Sequence, residues 1–210
     1  MPVVDRRKLW LCAFVDPAGG PRAGRSNYGL SRAAIVVIGQ DDLERVFILE
    51  AFIQRIPPDK LIDRIFDTQQ KWNPAVFGID SSGPQLEFAQ MVQKEARERG
   101  VRIPLRLVAQ RQEKTFSIET TIQPLSSAGR LFRPHDNECR TLKDETTSFP
   151  DGMYRDGLDA LANAIKLLPA ILPAHLKNMN REQLRRYLER TGMPQDQIAE
   201  RLSQHDHGGA

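Results

Sequence analysis

The sequence is poor in cysteine and has no long hydrophobic run. Its two cysteines, Cys12 and Cys139, form neither a C-x-x-C pair nor a Cys/His pattern, which argues against a structural zinc site. Cys12 lies in a predicted core strand and Cys139 in a predicted polar loop. The longest apolar runs, residues 9–15 and 33–38, are far shorter than a membrane span of ~20 residues. The first eight residues, MPVVDRRK, lack the apolar core of a signal peptide, so we expect a cytoplasmic protein without membrane partners.

The sequence has little net charge, with only a small excess of positive residues. The 210 residues include 30 Lys and Arg against 27 Asp and Glu, a net charge of +3 that gives only weak support for a nucleic-acid partner. Basic residues concentrate between positions 94 and 114, where a solvated helix face and a nucleic-acid contact both remain open. A hydrophobic fraction of 40% predicts a buried core, and the length suits one domain with a small appendage.

Hydrophobic patterning predicts a mixed α/β fold. Predicted strands cover residues 9–15, 33–39, 45–55, 75–80, 101–108 and 129–134. Predicted helices cover residues 58–72, 84–99, 116–125, 156–168, 181–190 and 195–203. Three consecutive strands favour an antiparallel meander, and the strand–helix alternation that follows favours parallel additions. We therefore expect a mixed sheet flanked by helices, with a C-terminal helical appendage and an edge position for the strand that contains Pro104.

Carboxylates follow the predicted elements at places where the fold can bring them together. Asp16 ends the first strand and Asp80 the fourth, whereas Asp156 and Asp159 lie three residues apart on one face of the late helix. An aspartate at the end of an apolar strand is costly unless it is paired, hydrated or bound to metal. Two Mg²⁺ or Mn²⁺ ions ~3.5–4 Å apart would suit such ligands and cleave phosphodiesters. The alternative is that each acid forms a turn, caps a helix or is solvated.

The glycine-rich segment at residues 19–26, GGPRAGRS, nearly matches a phosphate-binding loop. Arg25 replaces the lysine of that pattern, and a predicted strand rather than a helix follows, so the sequence argues against a nucleotide site. We expect Arg22 and Arg25 to lie near DNA phosphates, the alternative being a surface loop. Lys114 is a further candidate for DNA binding or for ordering a metal ligand, the alternative being a solvated lysine.

Four segments in this order resemble one known family. They are FVDPAGG at 14–20, FGIDSSG at 77–83, the weaker KTFSIETTIQPLSSAGRLFRP at 114–134, and YRDGLDALANA at 154–164. Together they resemble the nuclease domain of the large terminase subunit of tailed bacteriophages, which has an RNase H-like fold. The resemblance covers roughly residues 9–170. We therefore divide the chain into a linker at 1–8, a nuclease domain at 9–170 and a helical tail at 171–210.

The resemblance implies a metal-dependent endonuclease that cuts concatemeric viral DNA during genome packaging. It implies that Asp16 and Asp80 hold two Mg²⁺ or Mn²⁺ ions, and that the products carry 3′-hydroxyl and 5′-phosphate ends. The third ligand stays open between Asp156 and Asp159, because Tyr154 and the residue after it replace the His-Asp pair common in the family. The implied partners are double-stranded DNA, the portal, the small terminase subunit and a packaging ATPase domain.

Several alternatives remain at this stage. Large terminases carry an N-terminal ATPase that this sequence lacks, so we expect either an excised nuclease domain or a stand-alone relative. A Holliday-junction resolvase or an RNase H-type nuclease would use the same fold, and a non-catalytic DNA-binding or assembly module would use the acids as caps. The basic segment at 181–190 predicts a DNA contact, an arm for a packaging partner or a packing appendage. If the protein is viral, its compartment is the host cytoplasm.

Overall fold

The structure, a computed structural model, describes most of the chain. It covers residues 5–17, 32–41, 43–81, 84–109, 113–134, 139–169 and 179–190, together with 195, 198, 199 and 202. The chain divides into two compact units, Met1–Leu168 and Pro169–Ala210. Within the described ranges, every helix is too short or too polar to cross a membrane.

The first unit is built on one six-stranded sheet. Its strands are β1 (Trp10–Asp16), β2 (Ala33–Gln40), β3 (Val46–Gln54), β4 (Val76–Asp80), β5 (Leu105–Val108) and β6 (Leu131–Phe132). They lie in the order β5-β4-β1-β2-β3-β6. β1, β2 and β3 form an antiparallel meander, whereas β4, β5 and β6 pair in parallel with β1, β4 and β3. The predicted RNase H-like mixed sheet is confirmed, and β5 lies at an edge, as its preceding proline indicated.

Helices cover both faces of this sheet. They are α1 (Pro58–Trp72), α2 (Pro84–Glu98), α3 (Lys114–Ser127), α4 (Arg140–Ser148) and α5 (Asp156–Leu167), and a short 3₁₀ turn at Arg6–Lys8 precedes β1. The sequence explains the ends of α1. Pro58 is its first residue, where a missing N–H is harmless, and Asn73 ends it in a left-handed conformation with φ 46°.

Alternation along the central strands sends side chains into two separate cores. Cys12 and Phe14 of β1 pack on the side of α3, α4 and α5, whereas Ala13 and Val15 pack on the side of α1 and α2. This double burial explains why β1 is apolar at consecutive positions. By the same alternation, Asp16 is directed to the side that α5 covers.

α4 was not predicted, and its sequence explains why. The segment RTLKDETTS is mostly polar, and the residues it buries are Leu142 and Glu145. A buried glutamate adds nothing to a hydrophobic period, so Leu142 is the one strongly apolar residue that marks the buried face of this helix. The placement of Cys139 in a polar loop was wrong, because this cysteine is 1% exposed and packs in the core at the start of α4. The other boundaries differ from the predicted ones by a few residues, most at β5, which begins at Leu105.

The second unit contains the helix α6 (Arg181–Arg190). Leu184 and Leu188 on α6 form a small apolar cluster with Ile198 and Leu202. The predicted helix at 195–203 falls largely outside the described residues.

Candidate active site

The parallel pairing of β1 and β4 sets two aspartates side by side. Val15 pairs with Ile79, and the next residue of each strand, Asp16 and Asp80, is the last of that strand. Val76 of β4 packs on the α5 side, so the alternation of β4 directs Asp80 to the same side as Asp16. Two carboxylates therefore stand at the carboxyl ends of neighbouring central strands, on the face that α5 covers.

α5 brings a third carboxylate to these strand ends. Asp159 is 1% exposed, and α5 packs directly on β1 and β2. The Nζ atom of Lys114, the first residue of α3, lies 2.6 Å from Asp159 Oδ2 and 3.8 Å from Asp16 Oδ2. The amide of Asn163 donates to Asp159 Oδ1 at 3.4 Å. We refer to Asp16, Asp80, Asp159 and Lys114 as the carboxylate centre.

Negative charge dominates the carboxylate centre. Burial raises the pKa of Asp16, the Lys114 ammonium opposes that rise, and the charges of Asp159, Asp156 and Asp80 reinforce it. The result is a pKa of about 7 instead of the usual 3.8. A carboxyl whose pKa is raised by burial and by like charges is the kind of group that clusters at functional sites.

Asp156 has a different environment from Asp159, although one turn of α5 separates them. Its Oδ2 accepts a hydrogen bond of 3.3 Å from Nε of Arg32. The same guanidinium stacks on the ring of Tyr154 with 4.2 Å between them, and it forms an ion pair with Glu145. Asp156 is thus held by a cation at the N-terminus of α5, beside the carboxylate centre.

Glu145 connects α4 to the start of α5. Its Oε2 accepts the backbone N–H of Leu158 at 3.0 Å, one of the donors that a helix leaves unpaired in its first turn. Burial raises the pKa of Glu145 against the opposing effects of this hydrogen bond and of the Arg32 charge. Glu145 and Arg32 therefore fix the helix that carries Asp159.

Sequence reasoning missed both of these residues. A signal for Arg32 existed, because antiparallel pairing of Asp16 with Ala34 places the residues just before β2 next to the end of β1. Nothing in the polar stretch around Glu145 indicated its role.

The other predicted site residues have different outcomes. Lys114 lies within the carboxylate centre, and Arg22 and Arg25 lie outside the described residues. Two further arginines lie around the centre: Arg55 donates to the Tyr154 hydroxyl at 2.9 Å, and Arg155 donates to the hydroxyl of Thr115.

The carboxylate centre offers the hard oxygen donors that Mg²⁺ and Mn²⁺ prefer. As the side chains lie, no group of three His, Cys, Asp or Glu residues in the described ranges is arranged to hold a metal ion. The Lys114 ammonium binds Asp159 and lies 3.8 Å from Asp16 Oδ2, so a cationic side chain is in contact with two of these carboxylates. The donor chemistry and the convergence of the strand ends fit a divalent ion.

Comparison with known proteins finds the same fold. No protein-family model matches the chain, and no curated protein matches it either. The large terminase nuclease from the thermophilic phage G20c, in a crystal structure with bound zinc, superposes with a TM-score of 0.55 at 16% identity, covering 77% of this chain and 83% of that one. The large terminase of bacteriophage HK97 gives a TM-score of 0.55 at 12% identity, covering 80% of this chain and 44% of that one. The chain has the RNase H-like fold of large terminase nuclease domains.

The chain spans less than half of the HK97 large terminase, of which it covers 44%.

Proposed function

We propose that the chain is a metal-dependent DNA endonuclease that cuts concatemeric viral DNA during genome packaging. The observation that carries the proposal is the convergence of three carboxylates from β1, β4 and α5. The likeness to two large terminases supports the substrate class. The zinc in the G20c nuclease supports a divalent ion as cofactor.

In this proposal Asp16, Asp80 and Asp159 are the metal ligands. Asp159 is favoured over Asp156 because it is 1% exposed and shares the Lys114 ammonium with Asp16. Asp156 instead is bound by Arg32, which leaves it a role in holding α5 and in adding negative charge beside the centre.

Two Mg²⁺ or Mn²⁺ ions bound there would supply Lewis acidity and an activated water for in-line attack on a phosphodiester. The chain's own residues provide the arrangement. Asn163 orients the Asp159 carboxylate through its amide, and Glu145 fixes the start of α5. Lys114 is half exposed, which allows its ammonium to contact the phosphate under attack. The products are 3′-hydroxyl and 5′-phosphate ends.

DNA binding in this proposal is mainly electrostatic. Arg55 and Arg155 present cationic groups around the centre, and we extend this set to Arg22 and Arg25 of the glycine-rich segment. Affinity should fall steeply with salt and depend little on sequence. The portal, the small terminase subunit and a packaging ATPase domain are the partners that a packaging role requires.

A cleavage assay with a matched control tests the proposal. Wild type, Asp80→Asn and Asp144→Asn are incubated with plasmid and linear duplex DNA in Mn²⁺, in Mg²⁺ and in EDTA. Asp144 is an exposed acid on α4, so its variant removes one negative charge away from the centre. We expect metal-dependent cutting by wild type and Asp144→Asn, and loss of cutting in Asp80→Asn with an unchanged circular dichroism spectrum.

Undiminished cutting by Asp80→Asn would refute the proposal, as would the absence of cutting by a folded wild type in both metals. A four-way junction and an RNA–DNA hybrid are assayed in parallel. Faster cutting of either one than of duplex DNA would assign the enzyme to the resolvase or RNase H type.

A further inference from the structure

Lys114 is an unusual neighbour for a centre that should attract metal ions. Its Nζ lies 2.6 Å from Asp159 Oδ2 and 3.8 Å from Asp16 Oδ2, so one ammonium touches carboxylates from a helix and from a strand. A hydrogen bond between two charged groups at this distance is a strong one. The lysine therefore occupies space between two residues to which the proposed function assigns metal binding.

The charge balance explains why a cation resides there. Asp16 is subject to the negative charges of Asp159, Asp156 and Asp80, and the Lys114 charge opposes them. Buried carboxylates that share a site repel one another unless a cation or protons neutralise them. The Lys114 ammonium lies against Asp159 and close to Asp16, so its positive charge offsets part of their negative charge.

The lysine side chain is also able to leave. It is 50% exposed, whereas the side chain of Asp159 is 2% exposed. The backbone at the start of α3 is held by other atoms, because the Glu113 carboxylate accepts the N–H groups of Thr115 and Phe116. A rotation of the Lys114 side chain toward solvent therefore needs no change in the helix.

We propose that Lys114 is the resident counter-ion of the carboxylate centre, and that a divalent ion binds by displacing its ammonium toward solvent. The inference rests on the proposed function, since it takes Asp16 and Asp159 as metal ligands. It makes metal binding a competition between two cations for the same oxygens. The displaced ammonium is then available for a substrate phosphate, which links metal binding to substrate binding.

Titration calorimetry with Mn²⁺ tests the competition without any DNA. The proteins are wild type, Lys114→Gln, Lys114→Arg, and Lys94→Gln, which removes the same charge from an exposed lysine on α2. We expect Lys114→Gln to bind Mn²⁺ about tenfold more tightly than wild type, because a competing charge is gone. Lys94→Gln should bind as wild type does, and Lys114→Arg should stay within about threefold of it.

A second measurement uses wild type alone, in case Lys114→Gln does not fold without metal. Acetic anhydride labels the amines, and mass spectrometry gives the rate at each lysine in EDTA and in saturating Mn²⁺. An ammonium bound to Asp159 should react slowly, so Mn²⁺ should accelerate acetylation of Lys114 severalfold and leave Lys94 unchanged.

The outcomes distinguish a failure of the counter-ion role from a failure of the metal centre itself. Equal Mn²⁺ affinity in wild type and Lys114→Gln, or a Lys114 acetylation rate that saturating Mn²⁺ leaves unchanged, overturns the counter-ion role and leaves the metal centre in place. Absence of Mn²⁺ binding in folded wild type and in every variant overturns the metal centre, and the counter-ion role with it.

Discussion

Glu50 and Asp16 are carboxylates on strands of the same sheet, and each is close to a lysine, yet their surroundings are opposite in character. Glu50 of β3 faces α1, where it accepts hydrogen bonds from Arg64 at 2.5 Å, from Lys71 at 2.6 Å and from the Trp72 indole at 2.7 Å. We call this group the Glu50 cluster. In the carboxylate centre, by contrast, Asp16 is subject to the negative charges of Asp159, Asp156 and Asp80 as well as to the positive charge of Lys114.

The pKa values of the two carboxyl groups shift in opposite directions, although burial is the largest single cause at each. Burial alone would raise the pKa of Glu50, but the hydrogen bonds from Lys71 and Trp72 and the charge of Arg64 outweigh it and lower the pKa. The pKa of Asp16 is raised to about 7. A buried acid with sufficient donors stabilises the fold, whereas an acid with too few stores unfavourable electrostatic energy that a bound cation can relieve. The comparison thus distinguishes a structural ion cluster from the group of acids that we propose as the metal centre.

The largest expected difference between the two groups is in catalysis. Asp159→Asn should reduce DNA cleavage about a thousandfold or more, because it removes one of the three carboxylates to which the proposed function assigns metal binding. Glu50→Gln should leave cleavage per folded molecule within about threefold of wild type, since Glu50 lies on the α1 side of the sheet. Initial rates on plasmid DNA in Mn²⁺ measure both. If fully folded Glu50→Gln lost most of its DNA cleavage, the proposed distinction between the two groups would be wrong.

The same assay compares the two acids of α5, Asp156 and Asp159. Asp156→Asn should lower cleavage by about tenfold or less, because Asp156 is bound to Arg32 rather than to the Lys114 ammonium. The same rate assay measures this variant beside Asp159→Asn. If Asp156→Asn is the more damaged variant, the third ligand is Asp156.

Folding stability, unlike catalysis, should depend more on the Glu50 cluster than on the carboxylate centre. Glu50→Gln should lower the free energy of unfolding by about 2 kcal/mol, because it removes the charge of a buried carboxylate that accepts hydrogen bonds from the part-exposed Arg64 and Lys71. Urea unfolding at neutral pH measures the change. The matched control is Glu98→Gln, which breaks an exposed pair with Lys94 and should unfold at the wild-type urea concentration. A Glu50→Gln protein as stable as this control would make the Glu50 cluster dispensable.

The sequence predicted the strand ends that carry the acids, but not the side chains that contact these acids in the folded protein. The apolar runs that end at Asp16 and Asp80 placed both residues at strand ends, because burial on both faces leaves a continuous apolar signal. The spacing on α5 could not separate Asp156 from Asp159, since residues three apart share a face. Their difference comes from Arg32, which precedes β2, and from Lys114 on α3, and such contacts across the fold leave no local pattern.

The Glu50 cluster was equally invisible in the sequence. Glu50 interrupts the apolar run of β3, and its partners Arg64, Lys71 and Trp72 look like ordinary residues of an amphipathic helix. Only the packing of α1 on β3 reveals that they converge.

The two groups should also respond oppositely to pH in EDTA. Because the pKa of Asp16 rises from 3.8 to about 7 on folding, the native state binds more protons between these values, and its stability falls as pH rises through them. The loss should be a few kcal/mol, since each unit of pKa shift is worth about 1.4 kcal/mol, and Asp16→Asn should abolish it, so the variant is more stable than wild type at about pH 8. Glu50, with a lowered pKa, adds stability that is lost as pH falls below its usual 4.5.

Urea unfolding of wild type and Asp16→Asn from about pH 4 to pH 8 checks the sign. Wild type and variant curves that run parallel over this range would contradict the prediction. Addition of Mn²⁺ should remove the wild-type loss, because the bound cation replaces protons as the neutralising charge.

The smallest expected effect is at Lys71, and it tests whether redundancy protects the Glu50 cluster. Lys71 is 47% exposed, and Glu50 keeps its hydrogen bonds from Arg64 and Trp72 when the lysine is removed. Lys71→Met should therefore cost only about 0.5–1 kcal/mol in urea unfolding, as a screened ion pair does. Metal affinity should not change, unlike that of Lys114→Gln. A cost near that of Glu50→Gln would mean that the donors act as one unit, and charge balance would then depend on every member of the cluster.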